Sequence, residues 1–255
     1  MKLKPSIVSV ILPVYNAGKY LPECLESLKN QTYQDIHVIA IDDYSKDNSF
    51  SLLKKFQKEF KKVEIQRNKK RYGLATCYNR ALKRAQGQFV AFMSPHDING
   101  LNRFKRQVNF LLKNPKAVAV GTQYTSIDNN NKRLERSNLP EEHEVIYENL
   151  IQGESFHPET VMINRERLPK DLLYFKTNKY PFVFTEVFLK FFQYGIVANI
   201  THSLYYHREG IKRYGRRASK VKQMTSMMKL WLTSKTYNDA RPSFRTFFPQ
   251  LVKGI

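Results

Sequence analysis

Residues 7–49, IVSVILPVYNAGKYLPECLESLKNQTYQDIHVIAIDDYSKDNS, hold two short apolar runs that each end abruptly in a polar cluster, with an amphipathic segment between them. IVSVIL and IHVIAI are rich in β-branched residues, as parallel strands buried on both faces require. Over 20–30 the apolar residues Leu21, Cys24, Leu25 and Leu28 recur at helical spacing. The layout is strand, helix, strand, joined by a right-handed crossover. In open α/β sheets ligands bind beyond the carboxyl ends of the strands. Pro13-Val14-Tyr15-Asn16 and Asp42-Asp43-Tyr44-Ser45 both lie there and face one crevice. Neither GxGxxG nor GxxxxGK[ST] occurs in it, so a dinucleotide site or a P-loop lacks its glycines.

Working outward, strands are expected at 63–66, 88–93, 117–123 and 196–200, and helices near 48–60, 73–85, 100–113, 141–151 and 184–194. Asp128-Asn129-Asn130-Asn131 reads as a turn between two short strands. The irregular segment 169–181 suits a loop beside an acceptor cleft.

PVYNAGKYLPECLESLKNQTY followed by IDDYSKDNS resembles the N-terminal signature of family-2 glycosyltransferases, nucleotide-sugar enzymes of the GT-A fold. The likeness continues through NKKRYGLATCYNRALKRAQGQFVAFM, RFKRQVNFL, HPETVMINRERL and LYYHREG, so it covers about four-fifths of the chain. It implies a Rossmann-like, mixed and mainly parallel α/β sheet flanked by helices. The activity it implies is an inverting transfer of sugar from a nucleotide-diphosphate donor to a hydroxyl. A cell-surface polysaccharide or a lipid-linked glycan precursor is the expected acceptor.

The resemblance also assigns roles. Asp42 and Asp43 take the base or ribose, whose donors suit carboxylate acceptors, while Pro13 and Tyr15 shape the floor of that pocket. Arg71 and Gly73 border the nucleotide at a helix start, where N–H groups and a cation meet phosphate oxygens. Asp47 reads as a cap of the following helix. Asn79 matches the family pattern, whereas Tyr78 stands where an arginine is usual.

After the fourth strand the family carries an aspartate-any-aspartate motif, often followed by a further aspartate, for divalent metal and ribose. Aligning FMSPHD without gaps puts Ser94 and His96 at the first two and Asp97 at the third. Ser94 then belongs to the nucleotide site, and His96 with Asp97 are the candidate ligands for manganese or magnesium. Cations replace or supplement that metal at the departing diphosphate: His207, Arg208 and Arg213, with Lys212, Arg216 and Arg217. The family's general base is an aspartate in a glutamate-aspartate pair at a helix start. With Gly195 aligned, that pair falls on Val183 and Phe184, leaving Glu186 as the acid of 180–195, and Asp97 and Glu159 as further candidates. The alternative is a catalytically degenerate nucleotide-sugar or partner-binding protein.

Composition fits one enzyme-sized unit, because 255 residues of which 42% are hydrophobic can form a single α/β core. Residues 1–210 are expected to form the catalytic-type domain and 211–255 a basic amphipathic tail. The formal net charge is +21, and 211–255 hold eleven Lys or Arg against one acid, Asp239. Val221, Met224, Met228 and Trp231 follow helical spacing in that tail, so the stripe either packs on the α/β domain or meets an anionic membrane surface. Cys24 and Cys77 sit among apolar neighbours and are expected to be buried free thiols, which suits a reducing compartment. No apolar run approaches the roughly 20 residues of a spanning helix. A cytoplasmic protein is expected, peripheral on the inner face of the plasma membrane. No nucleic-acid module or aromatic-basic repeat accompanies the charge, so nucleic acid is not an expected partner.

Overall fold

The computed structural model describes residues 4–150, 155–176, 183–211 and 220–234. β1 (Lys4–Val14), α1 (Leu21–Lys29) and β2 (Ile36–Asp42) make the opening strand–helix–strand unit, with β1 and β2 parallel from Val8↔Ile36 to Val14↔Asp42. Leu21, Cys24, Leu25 and Leu28 are the buried face of α1, as their spacing requires. Pro22 opens that helix, Glu23 lies in its first turn and Lys29 in its last, which complements the helix dipole.

α2 (Ser49–Glu59), β3 (Val63–Arg67), α3 (Leu74–Leu82) and β4 (Gly87–Phe92) continue the pattern, β3 pairing parallel to β2 and β4 parallel to β1. Then follow β5 (Ile98–Asn99), α4 (Arg103–Lys113), β6 (Ala117–Ile127), β7 (Arg133–Arg136) and α5 (His143–Leu150). β8 (Met162–Asn164), α6 (Val183–Leu189), β9 (Ile196–Arg208) and α7 (Lys220–Ser234) complete the described elements. The sheet order is β3-β2-β1-β4-β8-β6-β9-β5, with β7 on β6.

Alternation along each strand feeds two cores. Ile11, Ile39, Ile41, Val90 and Phe92 face α3, α5 and α6, while Val8, Val10, Leu12, Val38, Ala40 and Phe89 face α1, α2 and α4. Both faces are covered, which is why these strands read as continuous apolar runs. Each fully buried Val, Leu or Ile contributes about 1.5–3 kcal/mol.

Two strands escape the sequence pattern. β5 and β8 are two and three residues long, too short for any periodicity to register. β8 nevertheless organises the second half of the sheet, because it runs antiparallel to both β4 (Ala91↔Met162) and β6 (Val120↔Met162). The segment entering β8 therefore emerges at the carboxyl ends of β4 and β6. β9, parallel to β6, runs eight residues beyond the expected end at 200 and brings Tyr205 and His207 to the same end.

Cys24 and Cys77 are buried free thiols. Of the tail, residues 211 and 220–234 are described. α7 docks through Leu230, which joins one core, and through Ser234, whose carbonyl accepts the Tyr147 hydroxyl at 3.4 Å. Met228 of the expected stripe is exposed. The side chains of Val221 and Met224 lie outside the described residues.

Candidate active site

The loops after β1 and β2 are tied together by their own polar side chains. Asn16 sits at φ +47°, a left-handed conformation that asparagine tolerates, and its Oδ1 accepts the Lys46 N–H at 2.8 Å. The Asn16 and Ala17 N–H groups donate to Ser45 Oγ at 3.0 Å and Ser49 Oγ at 2.9 Å. Asp47 accepts the Gly18 N–H at 2.8 Å and, through its other oxygen, both the N–H and the hydroxyl of Ser49. Burial acts to raise the Asp47 carboxyl, but those hydrogen bonds outweigh it and hold the group below its ordinary value. Asp47 thus caps α2 as expected and also clamps the neighbouring loop.

Asp42 and Asp43, both buried, stand side by side at the carboxyl end of β2 and do different work. Asp42 pairs with Arg67 Nε at 3.1 Å. Burial pushes its carboxyl up, and hydrogen bonds from Ser45 and the charge of Arg67 offset only part of that. Asp43 accepts the N–H groups of Tyr72 and Gly73, each at 2.8 Å, and Asn68 Nδ2 at 2.7 Å. Its carboxylate thereby fixes the loop that opens α3. Gly73 takes φ +91° there, where a side chain would be strained. Arg71 lies with its guanidinium 4.0 Å from the Tyr15 ring centroid. Pro13, Tyr15, Asp42, Asp43, Arg71 and Gly73 are therefore gathered around one crevice at the ends of β1 and β2.

The turn after β4 differs from expectation. The Tyr205 hydroxyl donates to Asp97 Oδ2 at 2.9 Å and the Arg208 N–H to Asp97 Oδ1 at 2.9 Å, and the carboxylate is fully buried. Ser94 is buried as well, its hydroxyl 3.4 Å from the His96 N–H and its own N–H 3.3 Å from the Tyr205 hydroxyl oxygen. Among the described residues no three His, Cys, Asp or Glu side chains are arranged to hold a metal ion. The residues here do not fit a divalent cation: serine and histidine replace two carboxylates, and both oxygens of the third are bound to protein donors. His96 and Asp97, the pair expected to ligate a metal, are engaged here by Ser94, Tyr205 and Arg208.

Arg208 is also placed otherwise than the resemblance implies. Its side chain is wholly buried, with Nε donating to the His96 carbonyl at 3.0 Å and Nη1 to the Asp128 carbonyl at 2.7 Å. Nη2 reaches Glu23 and Asn131, each at 2.6 Å, and the guanidinium lies over the Tyr20 ring at 4.4 Å. It joins α1, the β4–β5 turn and the β6–β7 turn into one knot, leaving it committed to protein rather than to a diphosphate. Lys212, Arg213, Arg216 and Arg217 lie outside the described residues.

Glu186, on α6, is buried and pairs with Lys176 Nζ at 2.5 Å. Positions 183 and 184 form part of an apolar wall: Phe184, Tyr78, Phe92 and Phe175 pack ring on ring at 5.0–5.8 Å. Tyr78 and Phe184, where the resemblance implies an arginine and an acid, meet here at 5.0 Å.

Beside the β4 turn the structure assembles a group whose membership the sequence did not reveal. His157 precedes a single 3₁₀ turn, Pro158–Thr160, and its Nε2 stands 3.4 Å from Glu159 Oε2. The rings of His157 and His207 meet edge to face at 4.6 Å, with Tyr124 4.5 Å from His157. His207 Nδ1 is 3.6 Å from Asp97 Oδ2. The signal available in the sequence was the triplet His157-Pro158-Glu159, but only the antiparallel path of β8 brings it to the end of β4, beside Tyr124, Tyr205 and His207.

The family model described as "Glycosyl transferase family 2" matches residues 9–215. An "Uncharacterized glycosyltransferase" of Haemophilus influenzae is 31% identical over 163 residues, 64% of this chain and 64% of its own length. An Escherichia coli protein named "UDP-Glc:alpha-D-GlcNAc-diphosphoundecaprenol beta-1,3-glucosyltransferase" is 30% identical over 162 residues, 64% of this chain and 62% of its own. This chain thus spans less than two thirds of the length of either relative. The crystal structure of S. aureus TarS in complex with UDP-GlcNAc superposes with a TM-score of 0.74 at 20% identity, over 91% of this chain and 67% of that one. That likeness shows the fold, GT-A.

Proposed function

The chain belongs to glycosyl transferase family 2, and from that membership we propose that it moves a sugar from a nucleotide-diphosphate sugar to a hydroxyl, with inversion. The acceptor is a glycan or lipid-linked precursor of a cell-surface polysaccharide. The observation that carries this reading is the crevice at the ends of β1 and β2, where Asp42 and the Arg71–Tyr15 stack stand on loops prearranged by Asp43 and Asp47. Tyr15 and Arg71 give such a site an aromatic face and a cation for phosphate, and Asp42, buried against Arg67 and Ser45, fixes its floor. The name of the Escherichia coli relative, with a UDP-sugar donor and a lipid-diphosphate acceptor, supports the same class.

In this mechanism the acceptor oxygen attacks the anomeric carbon in line as the nucleoside diphosphate departs. The charge that develops on the diphosphate is met by Arg71, by His207 and by the cation-dense sequence 212–217 that follows β9. The basic tail beyond position 210 acts as a separate segment and holds the protein at an anionic membrane surface on the cytoplasmic side, where lipid-linked acceptors reside. No described helix is long and apolar enough to cross a membrane.

A second reading is favoured by Ser94 and His96, which by resemblance stand at the metal- and ribose-binding aspartates, and by Phe184, which stands in the general-base pair: a nucleotide-sugar-binding protein without turnover. Release of nucleoside diphosphate from UDP-glucose, UDP-GlcNAc and GDP-mannose, with extracted polyprenyl-linked glycans as acceptors, separates the two. Multiple turnovers with one donor support transfer. Binding of a donor with no acceptor-dependent release supports the second reading.

A further inference from the structure

We propose that His157, oriented by Glu159, is the proton acceptor for the attacking hydroxyl. This inference rests on the transferase reading above. The imidazole lies on a segment fixed at every backbone step. Asn199 Nδ2 binds the Ser155 carbonyl at 2.7 Å, Phe156 packs edge-on against Phe188 at 5.1 Å, and Thr160 returns both its N–H and its hydroxyl to the His157 carbonyl at 2.9 and 2.8 Å. Gln107 Nε2 then bridges the carbonyls of Thr160 and Val120 at 2.8 Å each. β8 enters beside Phe92, whose N–H donates to the Val161 carbonyl at 3.2 Å. His157 is thereby delivered to the carboxyl end of β4, where ligands bind in such sheets.

Its surroundings suit a base. Glu159 stands at 3.4 Å from Nε2 and stabilises the imidazolium that forms on proton uptake. From β6 the ring faces Tyr124, and from β9 it faces Tyr205 and His207. Asp97 stands behind His207, and the buried Arg103 of α4 interacts electrostatically with Glu159. Other candidates are less well placed: position 184 is part of a ring wall, Asp97 is bound to Tyr205 and Arg208, and Glu186 is neutralised by Lys176.

The step balances. The acceptor O–H breaks and its proton passes to the His157 ring; the acceptor oxygen bonds to the anomeric carbon; the bond from that carbon to phosphate oxygen breaks, and its electron pair leaves with the nucleoside diphosphate. Glu159 stays ionised as a positioning residue.

The test uses the full chain and the hydrolysis of UDP-glucose, UDP-GlcNAc and GDP-mannose, in which water takes the place of the acceptor. His157→Gln is expected to retain nucleotide binding and melting temperature, to lower kcat by roughly 10²–10⁴-fold, and to remove the acid limb of the pH profile. Glu159→Gln is expected to keep a larger share of kcat and to move that limb to lower pH, because the imidazolium loses its neighbouring charge. NMR titration of the His157 ring supplies a readout independent of turnover, and Glu159→Gln is expected to lower its pKa. Hydrolysis and an acid limb that persist in His157→Gln, or that disappear only in Glu186→Gln, overturn the assignment. A His157 titration that Glu159→Gln leaves unmoved overturns the pairing. Wild-type protein that binds a donor yet releases nucleoside diphosphate neither to water nor to a polyprenyl-linked glycan contradicts the transferase reading itself.

Discussion

The half of the sheet built by β1 to β4 and the half built by β5 to β9 solve the same problem by different means. In the first, strands are parallel, each connection is a helix, and the loops at the carboxyl ends are held by backbone N–H groups that donate to the Asp43 and Asp47 carboxylates. In the second, short antiparallel strands interrupt the order, and the loops are held by a buried ionic knot centred on Arg208 and Asp97. A carboxylate whose loss frees part-buried loop amides costs less than a buried guanidinium whose loss leaves buried carbonyls without a donor. The donor-side crevice should therefore tolerate change in stability and respond in affinity, and the second half should do the opposite.

The largest effect is expected from Arg208→Ala, which leaves Glu23 in solvent but removes the donors to the His96 and Asp128 carbonyls and to Asn131, and should destabilise the fold by about 2–4 kcal/mol. Denaturant unfolding checks this, and a loss below 1 kcal/mol would dissolve the contrast between the halves. Gly121→Ala comes next. A Cβ there would lie 2.1 Å from Asn199 Oδ1 and 2.9 Å from Phe156 Cε2. Overpacking of that kind costs about 1–3 kcal/mol; because the displaced atoms anchor His157, turnover should fall further than stability alone accounts for, as paired melting and rate measurements would reveal.

On the donor side, Asp43→Ala removes an acceptor for the Tyr72 and Gly73 amides and should cost about 0.5–2 kcal/mol. Calorimetric titration with nucleotide should show a weakened site in a folded protein. The smallest effect concerns pH. The Asp47 carboxyl lies below its ordinary 3.8 in the folded chain, so its stabilisation is complete above that value and disappears as pH falls through the depressed one. Asp47→Asn should be less stable than wild type at pH 7, and the two melting curves should converge in acid. Curves that stay parallel down to pH 2 would remove Asp47 from the clamp.

This division also explains what the sequence disclosed. Asp42, Asp43, Tyr15 and Gly73 follow strands and precede helices that announce themselves by local periodicity, so their convergence at one crevice was legible. The His157–His207 contact joins residues fifty positions apart in sequence through a three-residue strand with no pattern of its own, and no local reading reaches it. Arg208 in LYYHREG read as a cation for the departing diphosphate, because nothing near it in the chain reveals partners at Glu23 and Asn131. Tyr78 and Phe184 were visible as two separate departures from the pattern that the resemblance implies, and only the fold shows that their rings pack together.

The central claim is a nucleotide site on the first half of the sheet whose diphosphate is held by the chain's own cations. Isothermal titration of UDP and GDP into the full chain, in chelator and again in manganese, with Asp42→Ala alongside, tests it most directly. The account predicts one nucleotide that binds equally well in both buffers and loses at least tenfold in affinity in Asp42→Ala. Binding that appears only with manganese, or that Asp42→Ala leaves unchanged, would contradict it.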